Sequence, residues 1–237
     1  MVAGGPIYGI NRSDGGSVFQ EQQGDDVMKL NLGPSLALPL LASVLNMAAS
    51  AASAATAPDV QAKARAKVAE FLVWERSVKP SGLYQSELGG ALPGIVSPEL
   101  LCLLNAASKA REIATRETPD EKPPFVEGNP FLPNAWDHLL GSQILSSSPS
   151  PGHQGESKVK VRFTFGEPGT SLDAPSGTYR FVSTYLVKEG PQGARITDID
   201  AGGSCDFCQS GSLRAALVDT LAAYPAAGAA QCKGLGK

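Results

Sequence analysis

Across 237 residues, 20 Lys and Arg stand against 23 Asp and Glu, with two His and 42% hydrophobic residues. This near-balance offers no footprint of clustered cations for nucleic acid or an anionic membrane, and so few imidazoles leave His-rich metal sites and most serine or cysteine catalytic sets without components. The length suffices for one domain with a real core.

Residues 1–27 are polar and Gly-rich, with Gly4-Gly5, Gly15-Gly16 and the acidic Asp25-Asp26, and show neither helical nor strand period. They read as an over-long translation start, or as a disordered segment. Residues 28–57 then have the pattern of a secretory signal peptide: a basic end at Met28-Lys29, an apolar run from Leu30 to Leu45, and small residues at Ala49-Ser50-Ala51 and Ala52-Ser53-Ala54. Gly33, Pro34 and Pro39 interrupt the run, which falls short of the roughly 20 clean residues of a membrane helix. A cleaved leader is expected, with export to the periplasm or the medium and no stable membrane insertion afterwards. No Cys lies near the cleavage sites, so a lipid anchor is not expected.

A single domain is expected over 58–225, helical first and stranded later. Pro58 suits a first helical turn, and Val60, Ala64, Val68, Phe71 or Leu72 and Glu75 step at helical spacing until Pro80-Ser81-Gly82. Ser97-Pro98-Glu99 opens a second helix with a cap, a proline and an acid near the positive end of the macrodipole. Its apolar face is Leu100, Leu101, Leu103, Leu104 and Ala107, and breakers from Thr118 to Pro124 stop it. Asn134 is expected to cap a short helical turn through Trp136 to Leu140, and Gly141 to Ser157 to form a mobile loop.

Strands follow. Val159, Val161, Phe163 and Phe165 alternate with Lys158, Lys160, Arg162 and Thr164, which predicts a half-buried strand over 158–165. A second, over 178–188, places Tyr179, Phe181, Tyr185 and Val187 on one face, and the turn Glu189 to Gly193 leads to a third over 194–200. Ser210 or Ser212 begins a closing helix striped by Leu213, Leu217, Leu221 and Tyr224, and 226–237 form a C-terminal tail.

The segment Tyr185-Leu-Val-Lys-Glu-Gly-Pro-Gln-Gly-Ala-Arg-Ile-Thr-Asp-Ile199 resembles the last hairpin of the nuclear transport factor 2-like superfamily, with Ala194 where Trp often stands. Phe71-Leu72-Val73-Trp74, Val96 to Leu100, Glu127-Gly128-Asn129-Pro130-Phe131 and Ser212-Leu213-Arg214 appear in an order similar to that of exported bacterial proteins of domain of unknown function 3828. The resemblance implies an α+β cone, N-terminal helices packed on a curved antiparallel sheet with a closing helix, and a pocket between helix and sheet that is catalytic in some members. It brings no assigned activity.

Candidate residues are few. Asp198 and Asp200 share a strand face by alternation and are the candidate catalytic acids, although strand acids at a sheet edge are more often simply solvated. Trp74, Trp136, Tyr179 and Tyr185 are candidate pocket residues, and large aromatics are also ordinary core. Asp137-His138 reads as a surface pair and His153 as a solvated loop residue. Cys102, Cys205, Cys208 and Cys232 are expected to form disulfides in an oxidising compartment, with Cys232 bonding Cys205 or Cys208 to pin the tail. Cys102 is then a buried thiol or joins the leftover cysteine. Cys205-Asp-Phe-Cys208 has the spacing of a redox dithiol, but Gln209 to Gly211 separate it from the helix start that would stabilise a thiolate. No motif implies a cofactor or a metal. A binding or interaction module for an unknown small molecule or envelope protein is the favoured reading. The alternatives are a cofactor-free isomerase or hydrolase with a pocket carboxylate, or an immunity-type protein.

Overall fold

The computed structural model describes residues 57–153, 155–174, 176–205 and 208–235. The start segment 1–27 and the leader, apart from Ala57, lie outside the described residues.

Helix α1 spans Ala57–Val78, with Asp59 in its first turn and Arg76 in its last, each matching the macrodipole. A short helix, α2, covers Leu92–Ile95. Helix α3 runs from Pro98 to Glu117, and the Ser97 hydroxyl accepts the Leu100 N–H at 3.2 Å as its N-cap. Four strands then form one antiparallel sheet in chain order: β1 Leu139–Pro149, β2 Glu156–Gly166, β3 Thr178–Gly190 and β4 Gly193–Asp200. Helix α4, Leu213–Leu221, is capped by Ser212, whose hydroxyl accepts the Ala215 N–H, and two 3-10 turns follow at Pro225–Ala227 and Ala229–Cys232. The chain is α+β, with an open four-stranded sheet. Among the described residues no helix is long and apolar enough to cross a membrane.

One face of the sheet packs on α1, α2 and α3. Val159, Val161, Phe163 and Phe165 are buried there, and Lys158, Lys160 and Arg162 face outward. Tyr185, Val187, Ile196 and Ile199 extend the same core across β3 and β4. Ile196 and Ile199 are three apart, yet both point inward. Leu186 pairs with Asp198 and Val187 with Ile196, so Thr197 is an extra residue, a β-bulge whose hydroxyl donates to the Leu186 carbonyl at 3.2 Å. Without the bulge, side-chain alternation would send one isoleucine into solvent.

Two local expectations are corrected. The predicted loop 141–157 is mostly β1, paired with β2 from Leu139↔Phe165 to Pro149↔Ser157 and turned by Ser150 to Gly155. Its many serines bury little, but the free edge of β2 supplies a ladder of backbone partners. Asn134 does accept the Trp136 and Asp137 N–H groups, at 3.0 and 3.2 Å, but no helical turn follows, and Leu139 already begins β1. The side chain makes an Asx turn instead.

The disulfide pairing also differs from expectation. Cys102 bonds Cys232, at a sequence separation of 130, and Cys205 bonds Cys208. The tail is pinned as anticipated, but to α3. Chain folding brings Cys232, in the second 3-10 turn, onto the α3 face that carries Cys102, with a Cα–Cα distance of 5.4 Å.

Candidate functional site: a groove beside α1

Helix α1 carries two stripes. Ala64, Val68, Phe71, Leu72 and Glu75 face the core, and Ala66, Ala69, Val73 and Ser77 run along a neighbouring face. That second stripe forms one wall of an open groove of about 1030 Å³, and the segment Ser86 to Ile95 forms the other. Small side chains keep it open. A Cβ added at Gly89, Gly90 or Gly94 would meet nothing within 4 Å. The Lys67 ammonium bridges the walls, donating to Glu70 at 2.6 Å and to the Gly94 carbonyl at 3.3 Å.

Most of the lining is apolar, but two buried polar atoms in its residues have no partner among the described residues: the indole Nε1 of Trp74 and the Oε2 of Glu87. The other Glu87 oxygen accepts only a long hydrogen bond from the Ser81 hydroxyl, at 3.5 Å. Both atoms are buried among the lining residues, and each gains a full hydrogen bond when a ligand group reaches it.

Behind Trp74 the space between helices and sheet is filled. The rings of Phe71, Trp74, Phe131 and Tyr185 lie with centroids 5.4 to 5.6 Å apart. Among them sits Glu75, 3% exposed, whose Oε1 accepts the Asn129 side-chain N–H at 2.8 Å. Burial raises the Glu75 carboxyl above its ordinary pKa, opposed by that hydrogen bond and by Arg76 and Lys79. Burial also pushes the Tyr185 phenol up, and the nearby Glu75 charge adds to it. Glu75 Oε2 and the Tyr185 hydroxyl have no partner among the described residues.

The anticipated site residues fall in separate places. Trp74 is in the groove wall and Tyr185 is fully buried. Trp136 and Tyr179 are 64% and 59% exposed. Asp198 and Asp200 do share a face, but it is the outer one, whereas Tyr185 pairs with Ile199 on the inner face. Asp198 is occupied in holding α4: it accepts the Ile199 N–H at 2.8 Å, the Arg214 N–H at 2.9 Å and the Ser212 hydroxyl at 2.5 Å. Asp200 is exposed. The described residues hold no cluster of three or more His, Cys, Asp or Glu arranged for a metal.

Neither Glu75 nor Glu87 stood out in the sequence as a site residue, and Asn129 did so only within a segment, Glu127 to Phe131, read as a structural turn beside the pocket mouth. Glu75 had a signal, an acid placed within an apolar helical stripe. Glu87 had only the adjacent Gly89-Gly90, a mark of a turn and not of a recess. No family model, curated protein or solved structure matches this chain.

Proposed function

We propose that the chain is an exported small-molecule-binding module of the nuclear transport factor 2-like kind, and that its site is the groove between α1 and Ser86–Ile95. The observation that carries this reading is the pair of unspent groups, Trp74 Nε1 and Glu87 Oε2, in the lining of an otherwise apolar recess. Its volume lies at the upper end of the roughly 300–1,000 Å³ of small-molecule sites. The complementary ligand has an apolar body, a cationic or hydrogen-bond-donating group for Glu87 and an acceptor for the indole. Glu70 is already paired with the Lys67 ammonium, so the preference for a cation rests on Glu87. The helices preceding an antiparallel meander, with α4 closing it, support the superfamily reading, and the two disulfides support export. The aromatic filling around Glu75 weighs against the enzymatic alternative, since no groove-lining residue other than Trp74 belongs to that cluster.

The test uses Trp136→Phe, which leaves Trp74 as the single tryptophan. Apolar amines are expected to shift its emission saturably, and matched apolar carboxylates are expected to do so far more weakly. Gly94→Leu, which places a side chain in open groove space, is expected to abolish the response in a protein of unchanged melting temperature. Equal responses to amines and carboxylates, or a response that survives Gly94→Leu, would remove the groove as the site.

A further inference from the structure

The two disulfides differ in surroundings. Cys232 is buried at 1% exposure and its partner Cys102 is half-buried, whereas Cys205 is exposed on the connection from β4 to α4 and Cys208 is half-buried. That connection is also a brace. Gly203 N–H donates to the Gln209 carbonyl at 2.8 Å and Cys208 N–H to the Cys205 carbonyl at 2.9 Å. Gln209 then reaches across to the segment 129–134, donating its backbone N–H to the Pro133 carbonyl at 2.8 Å and its side-chain amide to the Asn129 carbonyl at 3.3 Å. Asn134 and Cys208 form a backbone bridge. Packing here is close: a Cβ on Gly203 would meet Cys208 Cβ at 2.6 Å and the Pro133 carbonyl at 2.8 Å.

The braced segment covers the buried polar cluster. Asn129 supplies the one side-chain hydrogen bond that Glu75 receives among the described residues, and Phe131 packs edge-on against Phe71 and Trp74, each at 5.5 Å. Beneath it lie two buried polar atoms without partners among the described residues, Glu75 Oε2 and the Tyr185 hydroxyl. Such groups favour any state that hydrates them.

We propose that Cys205–Cys208 is a thiol–disulfide exchange site for a dithiol reductant, and that its reduction releases the 129–134 cover from the Glu75–Tyr185 cluster. A thiolate of the dithiol attacks the exposed Cys205 Sγ, forming a mixed disulfide as the Cys205–Cys208 bond breaks and Cys208 leaves as a thiolate. The second thiol of the dithiol then attacks its own sulfur in the mixed disulfide and frees Cys205. Two electrons pass from the dithiol, which becomes a disulfide, and its two protons go to Cys205 and Cys208 or to solvent. Cys102–Cys232 is the slower to react, because Cys232 is buried and Cys102 is only half-exposed. This site is separate from the proposed groove ligand and does not depend on it.

Dithiothreitol titrated against the folded full chain, followed by alkylation and peptide mapping, tests the exchange. Cys205 and Cys208 are expected to be labelled at reductant concentrations at least tenfold below those that open Cys102–Cys232. Hydrogen exchange of 129–134 is expected to quicken at least tenfold at that point, and Cys205→Ser/Cys208→Ser is expected to show the same exchange pattern without reductant. Joint reduction of the two disulfides, or prior reduction of Cys102–Cys232, would overturn the exchange site. Selective reduction with unchanged exchange of 129–134, in both the reduced chain and the double variant, would overturn the release.

Discussion

Asn129 donates its side-chain amide to the buried carboxylate of Glu75 at 2.8 Å, across 54 positions of sequence. The same Asn129 accepts the Phe131 N–H through its carbonyl oxygen at 3.0 Å, so one side chain orients the cover segment and holds the acid beneath it.

The acid has a pH signature. Burial raises the folded-state pKa of Glu75 above 4.5, so the folded protein holds this proton more tightly than the unfolded chain. The stability that follows is full below about pH 4.5 and is lost as pH rises through the raised value. Glu75→Gln, which keeps an oxygen for Asn129 and removes the charge beside Tyr185, Arg76 and Lys79, is expected to be more stable than the parent at pH 7 and to flatten this slope. Urea unfolding from pH 4 to pH 8 measures it, and a parent slope unchanged in the variant would assign the dependence elsewhere.

Asn129→Ala leaves the Glu75 carboxylate buried without its partner. A loss of about 1–3 kcal/mol at pH 7 is expected. The loss should shrink on acidification, where a protonated Glu75 carries no charge to satisfy, and denaturation at pH 4 and pH 7 compares the two.

Cys102–Cys232 closes a loop of 130 residues and ties the 3-10 turns to α3. Long loops lose the most unfolded-state entropy on cross-linking, so Cys102→Ser/Cys232→Ser is expected to cost about 2–5 kcal/mol. Thermal unfolding of the double variant checks this, with proteolysis expected to begin in the released tail.

Asp198 joins the end of β4 to the start of α4 through two hydrogen bonds, from Ser212 and Arg214, and accepts a third from Ile199. Asp198→Ala is expected to lower stability by about 1–3 kcal/mol, in the range of lost caps and charge-assisted bonds, while leaving the amine response of Trp74 unchanged. A large loss of ligand response without loss of stability would return Asp198 to the list of functional residues.

How legible these features were depends on the range over which each is decided. The caps at Ser97 and Ser212 and the alternation from Val159 to Phe165 are visible in a few neighbouring residues. So are the turn before Gly193 and the stop after α1. β1 was hidden because Ser146, Ser147 and Ser148 bury almost nothing, and its pairing exists only because β2 offers an edge. Asp198 and Asp200 were correctly placed on one face of β4. What the pattern did not show was the bulge at Thr197, which puts both isoleucines inward, or that Ser212 and Arg214 would already occupy Asp198.

By itself, then, the sequence determined the type and order of most elements, their caps and the core-facing row of each strand, since helical and strand periods are set by residues one to four positions apart. Only the tertiary structure decided which cysteines meet, that Glu75 is covered by Asn129, and that Trp74 and Glu87 line one groove. Those relationships depend on chain closure over tens of residues, where the partner of a side chain is chosen by how whole elements pack and not by its neighbours in sequence.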